Sequence, residues 1–188
     1  MAIKPILFNT EMVRAILDGR KTVTRRLVKF LSRKNPNWTG YVKNGLMLYN
    51  GRNEPCIKKA PYQPGDILYV RESYSELSFG YVYKADGENI DHLGNVIKWH
   101  PSIHMPKEAA RIWLKVTDVR VQRLQDMDKM DAVKEGIDTR LCISLGHALM
   151  KFKKLWNSTI KKSDLDCYGW DASPWVWVIE FERCESRK

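Results

Sequence analysis

Long apolar runs are missing from this chain. Its hydrophobic stretches are only a few residues long, far short of the roughly 18 that a membrane-spanning helix needs. No membrane partner is therefore expected. The opening Met1-Ala2-Ile3-Lys4-Pro5 lacks the apolar region of a signal peptide, which makes a cytoplasmic location the expectation. The four cysteines, Cys56, Cys142, Cys167 and Cys184, form no C-x-x-C pair. A zinc site would have to gather them from distant segments, so separate reduced thiols are expected. His100 and His104 have the spacing of a metal pair, but a proline lies between them and no third ligand is evident. No metal or other cofactor is called for. Internal repeats, low-complexity segments and βαβ alternation are also absent.

Acidic residues are scarce relative to basic ones. Against 22 Asp and Glu stand 32 Lys and Arg, a net charge of +10, which is the footprint of a polyanionic partner. The excess is concentrated: residues 14–34 hold Arg14, Arg20, Lys21, Arg25, Arg26, Lys29, Arg33 and Lys34 against the single acid Asp18. The 188 residues are most economically one domain, spanning 1–188 and long enough for a full core.

The apolar pattern predicts a strand over Ile3 to Phe8 and a short helix from Thr10, its cap, to Asp18, stopped by Gly19. A strand follows from Lys21 or Thr22 to Val28. Tyr41 to Tyr49 reads as a hairpin on the Asn44-Gly45 turn. Strands are expected at Ile67 to Glu72, at Tyr81 to Tyr83, and over the long alternating run from Ala109 to Gln125, bent near Thr117-Asp118. Helices are expected at Asp126 to Glu135, closed by Gly136, and at Ser144 to Asn157. Trp175 to Phe181 closes the chain as a strand. About seven strands around two or three helices point to an α+β fold or a mostly antiparallel barrel.

The segment Arg20 to Arg26 is the chemically richest. Alternation puts Thr22, Thr24 and Arg26 on one face and Lys21, Val23 and Arg25 on the other. Four cations and two threonine hydroxyls attract an anion and offer a nucleophile; a solvated basic strand end is the plainer alternative. Arg25 and Arg26 read as phosphate or base-edge ligands.

Gly19-x-Lys21-x-x-Thr24-x-Arg26 resembles the signature of the ASCH domain family, G-x-K-x-x-E-x-R, with Thr24 in place of glutamate. Threonine there is a feature of small bacterial ASCH amidohydrolases acting on N4-acylated cytidines. Three further stretches resemble longer, often phage- or prophage-encoded members: Pro64 to Glu72, Lys134 to Ile137 and Pro174 to Phe181. The resemblance implies a PUA-like, mostly antiparallel β-barrel decorated by two or three helices, with insertions at about 32–61 and 74–106. It also implies a catalytic group of Lys21, Thr24 and Glu135, in which a lysine beside a carboxylate activates the threonine hydroxyl. The alternative is a Lys21–Glu135 ion pair that only ties helix to strand.

Gly19, Arg20, Arg25, Arg26, Arg71, Glu72 and Trp170 complete the expected ligand-binding set. Trp170, in a loop, is the candidate for stacking on an unpaired base, whereas Trp175 and Trp177 share strand parity with Ile179 and Phe181 and belong to the core. Two functions remain open: a module binding RNA or a modified nucleoside in a basic cleft, and an amidohydrolase deacylating N4-acylcytidine-type nucleosides. A phage structural or morphogenesis role has only the resemblance behind it.

Overall fold

A computed structural model describes residues 1–30, 41–43, 47–49, 52, 54–87, 89–91 and 93–185. The first part of the expected insertion, residues 32–40, and the Asn44-Gly45 turn lie outside them. The fold is α+β, as the spacing of apolar residues leads one to expect. Its centre is a five-stranded mixed sheet built from β1 (Ile3–Leu7), β2 (Val23–Leu27), β5 (Ile67–Arg71), β8 (Trp113–Arg123) and β9 (Trp175–Cys184), in the order β1-β5-β8-β9-β2. All its pairings are antiparallel except β1 with β5. The edge strands approach each other: Arg26 on β2 donates from Nη2 to the Leu7 carbonyl on β1 at 2.8 Å. The sheet thus curls towards a barrel.

Two hairpins stand apart, β3 (Tyr41–Lys43) with β4 (Met47–Tyr49) and β6 (Tyr74–Leu77) with β7 (Gly80–Tyr83). Tyr74 to Leu77 gave no expectation of a strand, because one buried tyrosine and serine beside Glu76 make no apolar alternation. The expected bend in the long strand is a register shift between Val116 and Asp118.

The cap of helix α1 (Thr10–Leu17) lies one residue before the expected one. Asn9 Oδ1, rather than Thr10, accepts from the Met12 amide at 2.9 Å. Gly19 follows at φ +73°, the left-handed stop read from the sequence. Helix α2 (Lys129–Lys134) is capped by Asp128 and ends at Glu135 and Gly136 (φ +97°). In α3 (Leu145–Ser158) the buried stripe is Ala148, Phe152 and Trp156, while Leu145 is exposed. A fourth, short helix, α4 (Leu165–Tyr168), was not foreseen. None of the described helices is long and apolar enough to cross a membrane.

The sheet separates two cores. Trp175, Trp177, Ile179 and Phe181 of β9 face the barrel interior with Phe8 and Val28. The alternate residues Val176 and Val178 pack with Val23 against Phe152 and Trp156. Each such side chain contributes about 1.5–3 kcal/mol by burial.

Asp66 fixes the parallel start of the sheet. Its carboxylate accepts from Ala2 N at 2.9 Å, Lys4 Nζ at 2.7 Å and Gln63 N at 3.0 Å, joining β1 to the Pro64-Gly65-Asp66 turn before β5. Burial opposes its ionisation, yet these three donors hold the carboxyl below its ordinary 3.8. A lowered folded-state pKa stabilises above the ordinary value, and that contribution is lost as pH falls through the folded one. Asp66→Asn should therefore cost about 1.5–3 kcal/mol at pH 7. In urea unfolding, the gap to wild type should narrow as the pH is lowered below 3.8.

Candidate functional site

The cationic run from Arg14 to Arg26 does not form one surface, because strand alternation and the helix ahead of it divide it. Arg14 turns to the Ala85 carbonyl and Glu11. Arg20 binds Asp18 and the Gly136 carbonyl, and Gly19 faces open space beside it. Arg33 and Lys34 lie outside the described residues.

Lys21 precedes β2 and makes an isolated antiparallel bridge with Glu135, at the end of α2. Its side chain is fully buried. The Nζ donates to Glu135 Oε2 at 2.7 Å, Glu135 O at 2.9 Å and Val23 O at 2.7 Å, one acceptor for each ammonium hydrogen. Burial pulls the Lys21 pKa below its ordinary value; Glu135 opposes this, while Arg26 and Arg25 add to it.

Arg25, expected as a phosphate or base-edge ligand, is turned inward and paired with carboxylates. It shares strand parity with Lys21, and its guanidinium, with no exposed surface, binds Glu135 Oε1 at 3.1 Å and Asp131 Oδ2 at 2.7 Å. Two cations and two carboxylates thus form a buried network between β2 and α2. Glu135 does reach Lys21. Thr24, 2% exposed, pairs with Ile179 on the other face of β2.

Arg26 shares the Thr24 face and opens to a cleft. Its guanidinium lies 5.5 Å from the centre of the Phe8 ring, which Lys21 Nζ also approaches, at 5.6 Å. Phe8 is thus a neighbour of both cations. Arg26, Lys29, Lys58 and Lys59 line this cleft of about 300 Å³ together with Tyr62 and Trp177. Burial lowers the Arg26 pKa, against the influence of Tyr62 and Glu135, and raises that of Tyr62, against the influence of Arg26.

Lys58 and Lys59 went unread in the sequence, where they sit in what looks like an insertion. That segment returns to extend the end of β2: Phe30 bridges Ile57, and Lys58 N donates to Lys29 O at 2.9 Å. A buried Ile57 beside a Lys-Lys-x-Pro-Tyr run was the available signal. Nothing local, however, names Phe30 as its partner.

Three expected ligands lie elsewhere. Arg71 donates from Nε to Met105 O at 2.7 Å. Glu72, 1% exposed, is bound by Arg111 at 3.0 and 3.1 Å, and that guanidinium stacks 3.9 Å over Tyr83. These contacts tie the 74–110 excursion to the sheet. Trp170 packs edge-on against Phe152, with ring centres 6.1 Å apart, because Asn157 Oδ1 holds its amide at 2.8 Å and folds the loop onto α3. His100 pairs with Tyr74, its ring 5.5 Å away. Among the described residues no group of three His, Cys, Asp or Glu is placed to hold a metal.

No family profile matches the chain, and no curated protein does. Among solved structures, the chain is similar to an ASCH domain from Lactobacillus crispatus JV V101. The identity is 13%, the match covers 97% of this chain and 79% of that one, and the TM-score is 0.40.

Proposed function

We propose that this protein is an ASCH-type domain that binds RNA, or a nucleoside within it, in the cleft between the end of β2 and the 57–62 segment. The observation that carries this reading is the set of four cations, Arg26, Lys29, Lys58 and Lys59, around one small cavity with aromatic edges from Tyr62 and Trp177. Among the described lining residues none is acidic. Phosphate contacts supply salt-sensitive affinity, and an aromatic face beside them suits an unpaired base. The Gly19 to Arg26 signature supports the same reading. Fluorescence anisotropy with a short single-stranded RNA tests it: Arg26→Ala should weaken binding at least tenfold at low salt. Unchanged affinity would contradict the assignment.

A second reading has its own observation, the buried 2.7 Å contact of Lys21 with Glu135. In it Lys21 first passes a proton to Glu135 across their 2.7 Å contact. Its neutral amine, favoured by burial, takes the Thr24 hydroxyl proton as that oxygen attacks the amide carbonyl of an N4-acylated cytidine. The C–N4 bond breaks as the proton passes to N4, and water then hydrolyses the acyl-threonine to free the acid. The cost is visible too: Lys21 must release one of three well-made hydrogen bonds to act. Acetate release from N4-acetylcytidine, present in wild type and absent in Thr24→Ala, is the outcome this reading requires.

A further inference from the structure

We infer that the cleft is built for a phosphate-bearing nucleotide and discriminates against the neutral nucleoside, with Lys58 and Lys59 as the residues that set this preference. The inference rests on the cleft being the nucleic-acid site. Its volume of about 300 Å³ lies at the small end of ligand pockets. One nucleotide fits such a space; a duplex needs a far broader surface. Four positive charges converge there, and among the described residues Lys29, Lys58 and Lys59 have no carboxylate partner. Like charges gathered around one cavity repel one another until an anion enters.

The two sides of the cleft have different character. Arg26, which lines the cavity, is pinned by Leu7 O and the Phe8 ring, so its planar fork is held in place. Lys29, Lys58 and Lys59 are exposed and act as mobile point charges, suited to phosphate oxygens rather than base edges. Tyr62 is anchored by its hydroxyl to Pro5 O at 2.9 Å, which presents the ring as a fixed wall. A neutral nucleoside would meet the wall and leave the lysines unneutralised. A 5′-phosphate would engage both.

Calorimetric titration of the full chain with cytidine 5′-monophosphate, cytidine and inorganic phosphate reads this directly. The nucleotide should bind at least tenfold more tightly than either of the other two at low salt. In Lys58→Ala/Lys59→Ala, two exposed positions whose loss leaves the core intact, the nucleotide-to-nucleoside ratio should fall towards one. Equal binding of cytidine and its monophosphate overturns the inference, as does phosphate binding as tightly as the nucleotide, or a ratio unmoved in the double variant. Single-stranded RNA in the same series separates the failures. RNA bound without nucleotide discrimination removes only this inference, whereas no binding of RNA or nucleotide removes the parent reading and this one with it.

Discussion

Glu135→Ala is expected to cost about 3–5 kcal/mol of folding stability, the price of stranding buried charge. Glu135 is the shared acceptor for Lys21 and Arg25, both with fully buried side chains. Its removal leaves Lys21 with only the Val23 and Glu135 carbonyls, neither carrying a full negative charge. Arg25 retains Asp131 but already has an unpaired buried Nε, so no acceptor is in surplus. Urea unfolding measures the loss. Glu135→Gln should lose less, since its amide oxygen still accepts from one of the two cations. The Lys21→Met/Glu135→Leu pair should lose less than the sum of its single changes, because the penalty belongs to the uncompensated partner. Additive losses would show that the two residues do not act as a pair.

Gly136→Ala comes next, at about 2–4 kcal/mol from strain and overpacking together. The residue sits at φ +97°, and an added Cβ would lie 2.8 Å from Ala15 Cβ and 3.0 Å from Lys21 Cβ. Both neighbours are buried and short at that point, so neither can swing aside. The carbonyl of Gly136 also accepts from Arg20 Nη1 at 2.6 Å. Backbone displacement would thus disturb α1, the Lys21 bridge and the turn after α2 at once. A thermal melt should show a lower Tm for Gly136→Ala. By contrast, Gly19→Ala meets open space and should pay only for its positive φ.

The element pattern was legible because local chemistry specifies it. Gly19 and Gly136 stop their helices, the Ile112 to Arg123 alternation gives the long strand, and the parity of Trp175, Trp177, Ile179 and Phe181 puts them in the core. The pairing of Lys21 with Glu135 was foreseen only as one option, since no sequence states a distance. Charge alone marks Arg25 as a ligand, whereas alternation, followed strictly, places it with Lys21 on the α2 side. Trp170, expected in a loop, is half-buried because Asn157 folds that loop onto α3. Lys58 and Lys59 were invisible because the contact that brings them to Arg26 spans 27 residues, from Phe30 to Ile57.

The most direct measurement is the salt dependence of single-stranded RNA binding by wild type beside Lys29→Ala/Lys58→Ala/Lys59→Ala. With the four cations of the cleft engaged, log K against log salt should fall with a slope of roughly −3, at about 0.7 per phosphate contact. The triple variant should retain a slope of about −1 or less. A steep slope unchanged in the variant, or RNA binding indifferent to salt, would contradict the placement of the nucleic-acid site in this cleft.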